Sequence, residues 1–451
     1  MKTCVIAGGG IVGMLSALLA AERYERVWLV EKARAFGGLL GSFERNGAIY
    51  DFGTHVPART GIVDLDRILY GDPATMAAHF HLLPYLRSEN FFGGRWNESS
   101  PLIDARTLPA ADYARGVLEL LLAPGAQQGE TNLRRYLLAT FGDTFTAKIY
   151  APVVNKLLGA DLETLHREVL RIFGLQRVIA LSAELTRNLK SIGNFDNSLG
   201  FHSYTEGSPP LPYQYPKGNN GIGWWAEEML ERVRRKGVIL VGEDEVRSIR
   251  EKDGAVDSVT LGSGTELPCS RLVWTIPPAL AMRAAGMELR SKPPQFRTHT
   301  LCHFQFRDPL LKTFPQYLLC WAPELLSYRI TLYPNISPDR AASGRVNLTV
   351  EVLGDSGAGL RTAEFERRVR DELVEMRIVA PDNPVVDQLS QYLGNSFPVF
   401  TEALPEAARA QADQLMGRLR NLTLFGRGAG PAFFINDLLI QAYNGMRDLH
   451  D

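Results

Sequence analysis

One stretch near the N-terminus constrains the fold more than any other. A short apolar run, residues 2–7, enters Gly8-Gly9-Gly10-Ile11-Val12-Gly13, and a small, apolar helix-like run follows over 11–21. A second apolar strand, 26–30, then closes on Glu31. Strand, Gly-x-Gly-x-x-Gly, helix, strand and terminal acid in this order predict a nucleotide-binding βαβ unit. In such a unit Gly8 permits the tight turn and Gly10 lets a ligand reach the backbone. Gly13 lets the helix pack on the strand, and the helix N-terminus presents free N–H groups to a pyrophosphate. Glu31, 18 residues past Gly13, stands where a carboxylate accepts from ribose hydroxyls. The competing reading is a signal peptide, because Lys2 precedes an apolar run. Three glycines interrupt that run where a signal needs continuous helix.

Composition narrows the remainder. A chain of 451 residues exceeds the usual single core and predicts more than one domain. Net charge is −1, so no basic field points to nucleic acid. Four scattered cysteines (Cys4, Cys269, Cys302, Cys320) form no C-x-x-C and no zinc spacing with the histidines, which favours a reducing, cytoplasmic setting and no metal. No stretch reaches the ~18–20 apolar residues of a membrane span.

Further motifs follow the first. Gly37-Gly38 stands in KARAFGGLLGSF (32–43), and AIYDFGTH (48–55) ends on His55. A helical stretch, FGDTFTAKIYAPVVNKLLG (141–159), precedes LQRV (175–178). The order YQYPKGNNGIGWWAEEMLERVRRKGVILVGEDEVRSI (213–249) predicts strand, glycine turn, amphipathic helix, strand and an E-V-x-x-I segment. LVWTIPP (272–278), SYRITLYPNISP (327–338) and NLTLFGR (421–427) before GAGPAFFINDLLIQAYNGM complete the set.

Together these segments resemble the FAD-dependent amine oxidase superfamily, in particular flavoproteins like protoporphyrinogen oxidase and UDP-galactopyranose mutase. The resemblance runs in correct order through nearly the whole chain. It implies FAD as cofactor, with Gly8, Gly10, Gly13, Glu31, Gly37, Gly38, Val246, Gly426, Arg427, Asn436 and Asp437 as its binding residues. Val246 would touch the adenosine end. Arg427 and the helix start near Asn436-Asp437 would meet the flavin end, with either residue also able to cap that helix. His55 would lie on one face of the flavin. Arg329, and Arg177 in a helix-ending LQRV, would hold a sugar-nucleotide diphosphate, since a guanidinium engages two phosphate oxygens at once. Phe433 stands where the mutases carry a diphosphate-binding tyrosine.

The expected fold is α/β. A discontinuous Rossmann-like FAD domain (1–75, 205–280 and 395–451) would have a parallel sheet with helices on both faces. Two insertions would build an α+β substrate domain, 76–204 mainly helical and 281–394 carrying an antiparallel sheet. Stretches 206–221 and 353–359 read as loops, Trp224-Trp225 as core, and Trp96 as a candidate lid. The function this implies is an FAD-dependent oxidoreductase acting on a sugar-nucleotide or glycan-related small molecule, with an external reductant or electron acceptor. One alternative is a redox-neutral mutase-like isomerase using reduced flavin N5 as nucleophile. The other is a non-catalytic FAD-bound protein.

Overall fold

The computed structural model describes residues 2–207, 211–289, 291–342, 344, 346–354, 362–430 and 432–449. Of the expected loops, 208–210 and 355–359 lie outside the described residues, as does Pro431 of the C-terminal glycine turn.

The glycine motif seeds a five-stranded parallel sheet. Its strands lie in the order Leu422–Leu424, Arg271–Trp274, Thr3–Ala7, Arg26–Val30, Ile239–Val241. Four separated parts of the chain therefore share one sheet. Successive side chains of a strand alternate between faces, and here both faces are apolar. Cys4, Ile6, Val27 and Leu29 pack on the helices Ile11–Ala20, Ile222–Arg235 and Ile435–Arg447. Val5, Ala7, Trp28, Val30, Leu272 and Trp274 pack the other way. They meet the helices Pro278–Ala284 and Ala403–Arg418 and a small antiparallel sheet, Val246–Lys252, Ala255–Leu261 and Glu266–Pro268. The fold class is thus α/β with a Rossmann-like sheet covered on both sides.

A second sheet of seven strands has the order Val385–Pro398, Phe296–Phe306, Val346–Gly354, Ser327–Leu332, Tyr317–Cys320, Ser88–Phe92, Arg95–Asn97. It is antiparallel except where Tyr317–Cys320 runs parallel to Ser88–Phe92. The stretch 76–204, expected to be mainly helical, thus lends this sheet two strands. They are brief, and the Gly93-Gly94 turn between them adopts positive φ, so their signal in the sequence is weak. The sheet is two-faced by alternation. Cys302, Phe304, Ile330, Leu332, Leu348, Val350 and Val352 pack against Phe365, Val369 and Leu373 of the helix Ala363–Glu375. At ~1.5–3 kcal/mol per fully buried large apolar side chain, that face holds the layer together. The opposite face is polar and lies against the strand Ala48–Asp51. Asn347 Nδ2 donates to the Ile49 carbonyl at 2.8 Å, and Tyr333 Oη accepts from Asp51 N at 2.9 Å.

The helical layer contains Leu133–Phe145 and Ala151–Leu158 around an apolar core that includes Leu137, Phe141, Val154 and Leu157. LQRV is not helical here. The preceding helix, Glu168–Phe173, stops at Gly174, whose φ of 70° is left-handed, and Val178 forms an extended bridge to Leu199. Trp225 is core as expected, with Nε1 donating to Leu69 O at 2.9 Å. Trp96 is no lid. Its indole donates to Met376 O at 2.7 Å, and Lys312 Nζ lies 4.6 Å from the ring centre.

Candidate functional site

The glycine loop behaves as its spacing predicts. Gly8 has φ +105°, and a Cβ there would drive into Thr275. A Cβ on Gly13 would strike the Gly8 carbonyl, so helix and strand touch backbone to backbone. Around Gly10 a Cβ would meet nothing within 4 Å. Gly10 begins the helix Ile11–Ala20, and no side chain caps it among the described residues. The empty space at Gly10 lies beside this helix start, a cradle that fits an anionic group. Gly37 donates its N–H to Gly9 O at 2.9 Å and bridges Gly10. Gly38 sits so close that a Cβ on it would lie 3.3 Å from Gly10 Cα. The Glu31 carboxylate accepts from Gly9 N at 2.7 Å and Ala33 N at 2.9 Å, which orients it at the loop's edge. The approach to Val246 passes directly beside it, since Asp244 N donates to Glu31 O at 3.1 Å.

The C-terminal segment reaches the same place. Gly426 has φ +96°, and a Cβ there would lie 2.7 Å from Thr275 O. Thr275 Oγ1 donates to Ala7 O at 2.9 Å. One threonine is therefore wedged between the first glycine of the N-terminal loop and the Gly-Arg turn of the C-terminus. Arg427 next to it lies over the Phe433 ring at 4.6 Å and donates from Nε to Phe433 O at 3.1 Å.

The helix Ile435–Arg447 starts one residue before Asn436 and its N-cap position is Phe434, so neither Asn436 nor Asp437 caps it. Asn436 instead donates to Ala58 O at 2.9 Å and Arg59 O at 3.1 Å, tying this helix start to the loop that follows His55. Asn436 Oδ1 is buried with no partner among the described residues, which leaves an acceptor for a ligand donor. Asp437 pairs at 3.5 Å with Arg171 and is exposed.

His55 and Arg329 come together through a residue the sequence reading missed, Glu351. Strand register sets Arg329 directly opposite Glu351. The pair is bidentate, Nε to Oε1 and Nη2 to Oε2, both 2.7 Å. Glu351 Oε1 also accepts from Thr54 N and Thr54 Oγ1, each at 3.0 Å. His299 Nε2 lies 2.9 Å from Oε2. Desolvation opposes the charge on this fully buried carboxylate, yet Arg329 and His299 hold it well below the usual carboxylate range. Arg329 stays protonated against desolvation because Glu351 faces it. The signal was present: in NLTVEV (347–352) every second residue is polar, which puts Asn347, Thr349 and Glu351 on one face. Arg177 is not part of this group. It donates to Asp196 O at 2.7 Å, in the irregular segment after Gly174.

Desolvation pushes the His55 imidazole down to about 4, and Arg329 and Arg427 add to the fall while Glu351 offsets part of it. The ring is therefore neutral at ordinary pH. The unfolded histidine takes its proton near 6.5 and the folded one near 4. This side chain thus costs stability as pH falls from about 6.5 towards 4. The expected result is an imidazole NMR signal that does not titrate between about pH 5 and 8. A midpoint near the ordinary histidine value would mean that the ring is solvated.

Residues 6–61 match the model of the NAD(P)-binding Rossmann-like domain. No curated protein matches the chain. Among solved structures, reduced UDP-galactopyranose mutase is similar at 18% identity and TM-score 0.76, covering 99% of this chain and 94% of that one. An oxidoreductase from Methanosarcina mazei is similar at 14% identity and TM-score 0.62, covering 99% and 100%. Putrescine oxidase bound to putrescine is similar at 11% identity and TM-score 0.63, covering 99% and 98%.

Proposed function

We propose that the chain, whose fold is similar to those of reduced UDP-galactopyranose mutase and putrescine oxidase, is an FAD-dependent oxidoreductase of the amine oxidase superfamily. Its substrate is a sugar-nucleotide or glycan-related small molecule, and an external acceptor or reductant completes the cycle. The observation that carries this reading is the meeting of the glycine loop and the Gly426–Arg427 turn on Thr275. Two ends of the chain converge as a clamp for one extended dinucleotide.

In this reading the bare N-terminus of the helix Ile11–Ala20, with Gly8, Gly10 and Gly13, holds the pyrophosphate. Glu31 accepts from the ribose, Gly37 and Gly38 line the loop, and Val246 borders the adenosine end. Arg427, Gly426 and the helix start at Asn436-Asp437 hold the flavin end, where uncapped N–H groups favour negative charge. When bound, FAD supplies the two-electron chemistry. Neutral His55 donates from one ring nitrogen to the Phe52 backbone and keeps the other as an acceptor, and Thr54 and Glu351 fix the turn that presents it. We propose 1–75, 205–280 and 395–451 as the FAD-binding part and the two insertions as the substrate-binding part. The four cysteines are free and buried, which supports a cytoplasmic setting. Among the described residues no helix is long and apolar enough to cross a membrane.

Purified protein is expected to be yellow and to release FAD on denaturation. A correctly folded, colourless preparation that refuses added FAD overturns the proposal. The mutase-like isomerase is the second reading, favoured by the 0.76 TM-score and by YRITLYPNISP. Phe433, which has no hydroxyl to offer a phosphate, counts against it. Dithionite-reduced protein with UDP-galactopyranose, followed by chromatography, separates the two, since furanose product belongs to the mutase alone.

A further inference from the structure

We propose that Glu351 is a positioning residue that cancels the charge of Arg329, so that the surface beside His55 takes an uncharged portion of the substrate rather than its diphosphate. This deepens the functional reading above and rests on it.

Three observations carry it. First, the pairing is built into the sheet. Arg329 and Glu351 are opposite in register on neighbouring strands, and the Glu351 side chain is 0% exposed against 26% for Arg329. Two ideal charge-assisted bonds in a dry setting resist displacement. Pulling the guanidinium towards a phosphate would strand a buried carboxylate, the costly way to break such a pair.

Second, the same carboxylate is committed elsewhere. It accepts from Thr54 twice. It also lies against Gly53, where φ is +107° and a Cβ would sit 3.4 Å from Oε2. Glu351 thus holds both the arginine and the turn that bears His55, and it cannot shift to release one without disturbing the other.

Third, the Arg329–Glu351 pair itself carries no net charge; the other cation that bears on His55, Arg427, is assigned above to the flavin end, and His299 lies on the far oxygen of Glu351. Arg329 keeps N–H donors beyond the two given to Glu351. They suit hydroxyls, ethers or carbonyls, the acceptors of a glycan-like group. A dianionic diphosphate needs uncompensated positive charge when it leaves water, and this pair supplies none.

The test uses the flavin-loaded protein, with the visible spectrum titrated by inorganic pyrophosphate and, separately, by UDP. Glu351→Gln keeps the size of the side chain and an acceptor for Arg329, but exposes the arginine's charge. It is expected to bind pyrophosphate at least ~10-fold more tightly than the unmodified protein. Adding Arg329→Met is expected to abolish that gain. A purely structural role for Glu351 would weaken or leave unchanged the affinity for anions, not raise it.

Should Glu351→Gln not fold, the double variant Glu351→Met/Arg329→Met removes both charges at similar volume. Its affinity for pyrophosphate and UDP is expected to equal that of the unmodified protein. The inference is overturned if the unmodified protein saturates with UDP or pyrophosphate and the double variant loses that binding ~10-fold or more. It is also overturned if Glu351→Gln folds, keeps its flavin and gains nothing. A colourless starting protein would instead overturn the function proposed above.

Discussion

Replacing Gly10 with alanine is expected to leave the fold intact while weakening FAD at least ~10-fold, equivalent to ~1.4 kcal/mol. Nothing lies within 4 Å of the position its Cβ would take. Its backbone, at φ −71° and ψ 178°, is extended and open to any residue. The methyl would project into the space that a pyrophosphate must enter to reach the helix N–H groups. Gly13→Ala makes the matched contrast. Helix propensity alone would make alanine better than glycine by ~1 kcal/mol. Here the methyl would collide with the Gly8 carbonyl, and that backbone has no rotamer to escape into. The sign reverses, and a loss of ~1–3 kcal/mol is expected. Urea unfolding of the flavin-free proteins, alongside FAD titration, reads both effects. If Gly10→Ala binds FAD like the parent, the open space at Gly10 is not the pyrophosphate cradle.

Lys156→Met is expected to cost more stability than any single change at the proposed site, ~3–5 kcal/mol. Lys156 Nζ is buried and donates to three carbonyls: Cys320 O at 2.9 Å, Ala322 O at 2.8 Å and Ser327 O at 2.8 Å. From the other side, buried Glu372 accepts from Leu326 N at 2.7 Å, Ser327 N at 2.9 Å and Ser327 Oγ at 2.6 Å. A cation gathers the carbonyls of the 320–327 segment and an anion gathers its amides. That segment delivers the strand Ser327–Leu332, and so Arg329. Methionine fills the space but takes the lysine donor from three carbonyls, of which Ala322 O keeps a bond from Leu325 N at 3.3 Å, and the losses carry a desolvation penalty. Desolvation lowers the lysine's proton affinity, while Cys320 and Glu372 oppose that fall. Chemical denaturation of the holoprotein gives the number. A loss below ~1 kcal/mol would mean that the segment is held by packing alone, and Arg329 would then keep its place without Lys156.

The comparison between sequence and structure divides along a physical line. Local order was legible wherever short-range sterics decide it. The Gly8-x-Gly10-x-x-Gly13 turn, the strand Arg26–Val30 and Glu31 at its end were all readable. Each depends on dihedral freedom and alternation within a few residues of itself. Where a local rule was outvoted, the reading slipped. The 3.6-residue periodicity around LQRV looked helical, but Gly174 breaks it and sends Arg177 to Asp196. Asn436 had the chemistry of a cap, yet its side chain is taken by the Ala58 and Arg59 carbonyls some 378 residues away in the chain.

What the linear order settled, then, is the Rossmann-like βαβ unit and the order of its elements, because backbone geometry is written residue by residue. Only the folded chain decided that Thr275 joins the N-terminal glycine loop to the Gly426–Arg427 turn, that Lys156 and Glu372 grip the segment before Arg329, and that Glu351 claims Arg329. Those facts depend on which strands lie side by side and in what register. Register is set by the packing of whole faces against a helix layer on one side and the strand Ala48–Asp51 on the other, and no single segment contains that information.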